Sequence, residues 1–74
     1  MEAVNDITYV YDGYRPDGLM TVYAYYNGSP VAELAAKPDY RSGTARIWPV
    51  KKLRAGSYNI SLKTIPLINI RCLN

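Results

Sequence analysis

ITYVYDGYRPDGLMTVYAYYNGSP, residues 7–30, holds two runs rich in β-branched and aromatic residues, separated by one turn signal and closed by another. The first turn is Pro16-Asp17-Gly18. Proline presets φ at the opening position and glycine accepts the left-handed one, which fits a three-residue hairpin loop with a glycine bulge. The second is Asn27-Gly28, the favoured dipeptide for a two-residue hairpin turn. Together they predict a chain that doubles back twice, with strands over about residues 7–14 and 19–26 and a third after Gly28.

The turns also set the register. Arg15 faces Leu19, and counting outward pairs Tyr11 with Tyr23 and Tyr9 with Tyr25, a four-tyrosine ladder on one face. A slip of one position breaks that ladder, because side chains alternate between faces. At the second turn Tyr26 pairs with Ser29 and Tyr25 with Pro30, in a position that exchanges no backbone hydrogen bonds and so tolerates the missing N–H of proline. The competing reading is one short helix near residues 30–37, with Ser29 as N-cap and Pro38 as its stop. Two helical turns are marginal without strong packing, so the strand is preferred.

Further along, residues 37–43 (Lys-Pro-Asp-Tyr-Arg-Ser-Gly) have the composition of a loop. Residues 44–50 read as a strand with Arg46 and Trp48 on one face, and Pro49 confines it to an edge or an early end. Residues 51–56 form a basic turn. Tyr58, Ile60, Leu62 and Thr64 then alternate with Ser57, Asn59, Ser61 and Lys63 as a half-buried strand. After Pro66, residues 67–73 read as a last apolar strand, with Ile68, Ile70 and Cys72 on one side. Residues 53–62 resemble the strand entry of immunoglobulin-like and transthyretin-like sandwich domains, a resemblance of ten residues that carries no function. The expected fold is all-β: residues 1–74 form one small domain, a barrel or sandwich of about five to six short antiparallel strands.

Seventy-four residues bury a thin core. The sequence has one cysteine, Cys72, and no histidine, so neither a disulfide nor a metal staple is expected. A lone thiol and an acidic, polar start without a signal peptide point to the cytoplasm, and no apolar run approaches the length of a membrane span. Catalysis has few groups to work with. Without histidine there is no ordinary triad, and Cys72 among Ile70, Arg71 and Leu73 reads as a buried, inert thiol. The register places Asp12 and Glu33 opposite Val22 on adjoining strands, the sole candidate carboxylate pair. We therefore expect a non-enzymatic protein with no cofactor, no metal site and no small-molecule substrate.

Charge is the strongest functional signal. The first 39 residues carry six acids and two bases, a net −4, whereas the last 35 carry seven bases and no acid, a net +7. Arg41, Arg46, Lys51, Lys52 and Arg54 lie close together, with Tyr40 and Trp48 interleaved. Cations that track phosphates and rings that stack on bases are what a single-strand-binding surface needs. The expected partner is nucleic acid or a nucleic-acid-handling protein. The alternative is a protein-binding inhibitor or regulator, of the kind phages and mobile elements encode, docking through Tyr9, Tyr11, Tyr23 and Tyr25. The oppositely charged halves also allow a homo-oligomer.

Overall fold

The computed structural model describes residues 7–53 and 62–72. They form a six-stranded sheet with a single turn of 3-10 helix: β1 (Ile7–Tyr14), β2 (Met20–Tyr26), β3 (Ser29–Asp39), β4 (Thr44–Lys52), β5 (Lys63–Pro66), η1 (Leu67–Asn69) and β6 (Ile70–Cys72). In space the strands run β5-β4-β3-β2-β1-β6. The sheet is curled into a half-barrel, its concave face holding the core. No helix among the described residues is long and apolar enough to cross a membrane.

Both turns form as their residues dictate. In the first, Gly18 N–H donates to the Arg15 carbonyl at 3.0 Å and Arg15 N–H donates to the Leu19 carbonyl at 2.6 Å. Gly18 sits at φ +87°. The Asp17 carboxylate ties the loop down, accepting from Leu19 N–H at 3.1 Å and from Arg15 Nε at 3.2 Å. In the second, Asn27 at φ +53° and Gly28 at +82° make the turn, and Tyr26 pairs with Ser29 and Tyr25 with Pro30. Residues 30–37 are strand rather than helix: β3 is paired on both sides, with β2 and with β4. That double pairing outweighs the helix-start signal of Ser29-Pro30.

The tyrosine ladder does not form. Tyr14 pairs with Met20 and Gly13 with Thr21, as the turn dictates, but Asp12 is then an extra residue and Tyr11 pairs with Val22. This β-bulge rests on Gly13 at φ +131°, a conformation that L side chains rarely adopt. Beyond it the register is shifted by one, with Tyr9 opposite Ala24 and Tyr23 opposite Val10. Tyr9 is buried and Tyr11 packs against the core, whereas Tyr23 and Tyr25 share the convex face with Val10 and Thr8. A second bulge at Val31 shifts β3, so that Val22 faces Leu34 and Tyr23 faces Glu33. The expected meeting of Asp12 and Glu33 opposite Val22 is thereby lost.

The concave face alternates large and small residues, the pattern that lets a tightly curled sheet fill its interior. Val22 lies opposite Leu34, Ala36 joins Met20 to Ile47, and Ala45 joins Pro38 to Ile65. Leu34, Ile47, Val22 and Val31 are the largest side chains with no appreciable exposure. Ala35 is equally buried but points to the convex side, between Thr21 and Trp48, outside the core cluster.

Closure is the feature the local pattern does not contain. Residues 63–72 keep one direction, first antiparallel to β4 as β5 and then parallel to β1 as β6, with η1 stepping across between the two sheet edges. The sheet is therefore mixed, not wholly antiparallel, and residues 67–73 are not one strand: Leu67–Asn69 is the 3-10 turn and Ile68 is 91% exposed. Parity on β5 differs too, with Ile65 facing in and Leu62 and Thr64 exposed. Lys63 reaches over the seam to β1, its ammonium donating to Tyr9 Oη at 3.2 Å and lying 5.7 Å from that ring's centre. Cys72 is exposed, not buried. The resemblance over residues 53–62 and most of the Tyr58 strand lie outside the described residues.

Candidate nucleic-acid interface

The β3–β4 connection builds the site. Strand β3 runs on through Pro38 to Asp39, leaving Tyr40, Arg41, Ser42 and Gly43 as the loop. Asp39 fixes it: its Oδ1 accepts from Arg41 N–H at 3.1 Å and Ser42 N–H at 3.4 Å, and its carbonyl accepts from Gly43 N–H at 2.9 Å. Gly43 takes φ +74° and passes its own carbonyl to Leu67 N–H at 2.9 Å, binding the loop to η1. The Ser42 and Thr44 hydroxyls lie 2.8 Å apart.

This tight loop sets the register that follows, Asp39 with Thr44, Pro38 with Ala45 and Lys37 with Arg46. Arg46 in turn pairs with Thr64 on β5. Lys37 and Arg46 are exposed on the convex face, directly opposite one another. Cβ atoms of such a pair stand about 4.5–5.5 Å apart, and like charges in that relation repel. With Arg41 from the loop they border one open groove of about 530 Å³, to which Tyr40, Thr44 and Thr64 contribute. Asp39 is the single acid there, and its carboxylate is engaged by the loop's backbone. Tyr40 is 69% exposed. Trp48, half-buried over Ala35, shares the face of Arg46 two positions further along β4, about 7 Å away at a strand's rise per residue.

The other expected cations do not gather here. Lys51 sits past a bulge at Val50 and faces Glu33, an opposite charge, across the ladder. Lys52 pairs with Ala32 at the far end of the strand. Arg54 lies outside the described residues. So the structure gathers Tyr40, Arg41 and Arg46, with Trp48 alongside, and sets Lys51 and Lys52 apart. It adds Lys37, Thr44 and Thr64, which the sequence reading left out. The signal for Lys37 was available: a four-residue loop after Asp39 places it opposite Arg46.

Elsewhere on the convex face Tyr23 stands beside Glu33, and its phenol is pushed above its ordinary pKa first by desolvation, then by the charges of Glu33 and Asp12. The two carboxylates thus mark an acidic area on β1–β3, distinct from the basic groove on β3–β5. The four tyrosines of the alternative reading divide between two faces and present no common surface. Among the described residues no group of three or more His, Cys, Asp or Glu could hold a metal ion. Comparison with protein-family models, curated proteins and solved structures finds no match.

Proposed function

We propose that the chain is a non-enzymatic binding protein that holds single-stranded nucleic acid by its phosphates in the groove between Lys37, Arg41 and Arg46. The observation that carries this reading is the cross-strand pair of Lys37 and Arg46. Placing two cations opposite each other on an exposed ladder costs the fold stability. A bridging phosphate turns that repulsion into two charge-assisted contacts. The hydroxyls of Thr44 and Thr64 on the same groove add donors for phosphate oxygens. Tyr40 and Trp48 offer ring faces on which unpaired bases stack, the usual complement of a cationic groove that tracks a single strand.

The number of cations on the groove sets the salt dependence to expect. With Lys51 opposed by Glu33 and Lys52 remote, three cations contact phosphate, so log affinity for a single strand falls with log salt at a slope of about 2.1. Anisotropy titration of a labelled single-stranded oligonucleotide between about 50 and 200 mM salt measures this. A flat response, or no binding at low salt, removes the proposal.

A further inference from the structure

The groove does not end at Tyr40. The same ring borders a second cavity of about 280 Å³ at the mouth of the half-barrel, together with Tyr11, Tyr14, Met20, Ile70 and Cys72. Here the β1–β2 turn, the β3–β4 loop and η1 come together, so the mouth is walled by elements far apart in sequence. Tyr11 and Tyr14 meet edge to face, their ring centres 6.1 Å apart. The Tyr40 phenol is pushed above its ordinary pKa, first by a hydrogen bond with the Tyr14 side chain.

The lining carries no charged side chain. A phosphate gains nothing there, whereas a flat, neutral, polarisable ring gains three aromatic walls, a thioether and phenol hydroxyls able to donate or accept. The volume is about nine times the ~30 Å³ share of a liquid water, enough for one heteroaromatic base of about ten non-hydrogen atoms. Charge decides which aromatic molecule arrives. The cationic groove abuts the cavity through Tyr40, so an anionic chain lying in the groove delivers its attached rings to the mouth.

We infer that the mouth is a base pocket: one unpaired base of the strand held by Lys37, Arg41 and Arg46 turns past Tyr40 and inserts among Tyr11, Tyr14 and Cys72. This rests on the proposed function and adds to its open stacking faces an uncharged pocket that takes up one base. Tyr40 then touches the strand in both halves of the site.

The test compares oligothymidylate and oligouridylate, each about eight nucleotides long, with an abasic oligomer of equal length and charge. At least one of the base-bearing strands binds about 5- to 150-fold tighter than the abasic one, the factor that one stacked base confers. It also slows alkylation of Cys72 by iodoacetamide, while the abasic strand does not. Tyr40→Ala removes the protection of Cys72 and reduces the discrimination to what Trp48 alone confers, while leaving the salt slope unchanged, which a merely unfolded variant cannot do. Equal affinity for all three oligomers, with Cys72 alkylated at the free rate, overturns the base pocket and leaves the phosphate groove standing. Failure of every oligomer to bind overturns both.

Discussion

Replacing Gly13 by alanine tests the bulge that sorts the tyrosines. Gly13 holds φ +131°, and a Cβ built there meets nothing within 4 Å. The cost is therefore backbone strain alone, with no steric contribution, and a residue forced into so sparse a region loses about 1–3 kcal/mol. For a domain of this size each kcal/mol lowers the melting temperature by about 4–8 °C, so a loss near 2 kcal/mol moves Tm down by about 8–16 °C. Thermal melts followed by circular dichroism, with and without urea, read this directly. A second background isolates the cause. Deleting Asp12 removes the extra residue, straightens the pairing of Tyr11 with Val22 and Gly13 with Thr21, and releases Gly13 from positive φ. In that background Gly13→Ala becomes neutral or stabilising, because alanine loses less entropy than glycine in a strand. A Tm unchanged by Gly13→Ala in the chain that retains Asp12 would refute the bulge, and with it the assignment of Tyr9 and Tyr11 to the core face.

Lys37→Glu converts the repulsive pair with Arg46 into an attractive one; it raises stability by about 0.2–1 kcal/mol while weakening oligonucleotide binding by roughly 25-fold, two units of charge at about 0.7 log unit each, and a melt combined with a titration checks both halves. Leu34→Ala empties the centre of a thin core and costs about 2–5 kcal/mol, against a folding free energy of about 4–11 kcal/mol for a chain of this length, so the urea concentration at the unfolding midpoint falls by roughly half. Asp17 is held below its ordinary pKa of 3.8, first by the Leu19 N–H and then by Arg15. A carboxyl with a depressed folded pKa contributes stability that is complete above the unfolded value and is lost as pH falls through the folded one. Melts of wild type and Asp17→Asn therefore converge in acid and diverge in favour of wild type above about pH 4.

Much of the sheet is legible from turn chemistry. Pro16, Asp17, Gly18, Asn27 and Gly28 each have a conformational reason to stand where they do, and the pairings next to them came out as counted. The register failed where an unmarked residue entered the ladder, at Asp12 and at Val31. A bulge is decided by how far the sheet must curl, which no single stretch of sequence encodes. The parallel pairing of β1 with β6 was invisible for a related reason: it joins residues about sixty positions apart, across a seam that exists only once the sheet has bent. The site followed the same division. Arg41 and Arg46 stood out as charges among aromatic rings, whereas Lys37 was missed because residues 37–43 were read as a loop, although strand β3 runs on to Asp39 and pairs Lys37 with Arg46.

The central claim is that affinity for an anionic strand resides in the Lys37–Arg46 ladder pair and not in basic charge generally. Each phosphate contact on a single strand contributes about 0.7 log unit of affinity at 0.1 M salt, so Arg46→Ala weakens binding about fivefold there and lowers the salt slope by the same 0.7. Lys51→Ala removes one charge just as completely, yet from a residue already opposed by Glu33. The most direct measurement is the pair of salt series for these two variants on one single-stranded oligonucleotide. A lowered slope for Arg46→Ala beside an unchanged one for Lys51→Ala is the predicted result. Equal losses in both variants would contradict the account and return the binding to undirected positive charge.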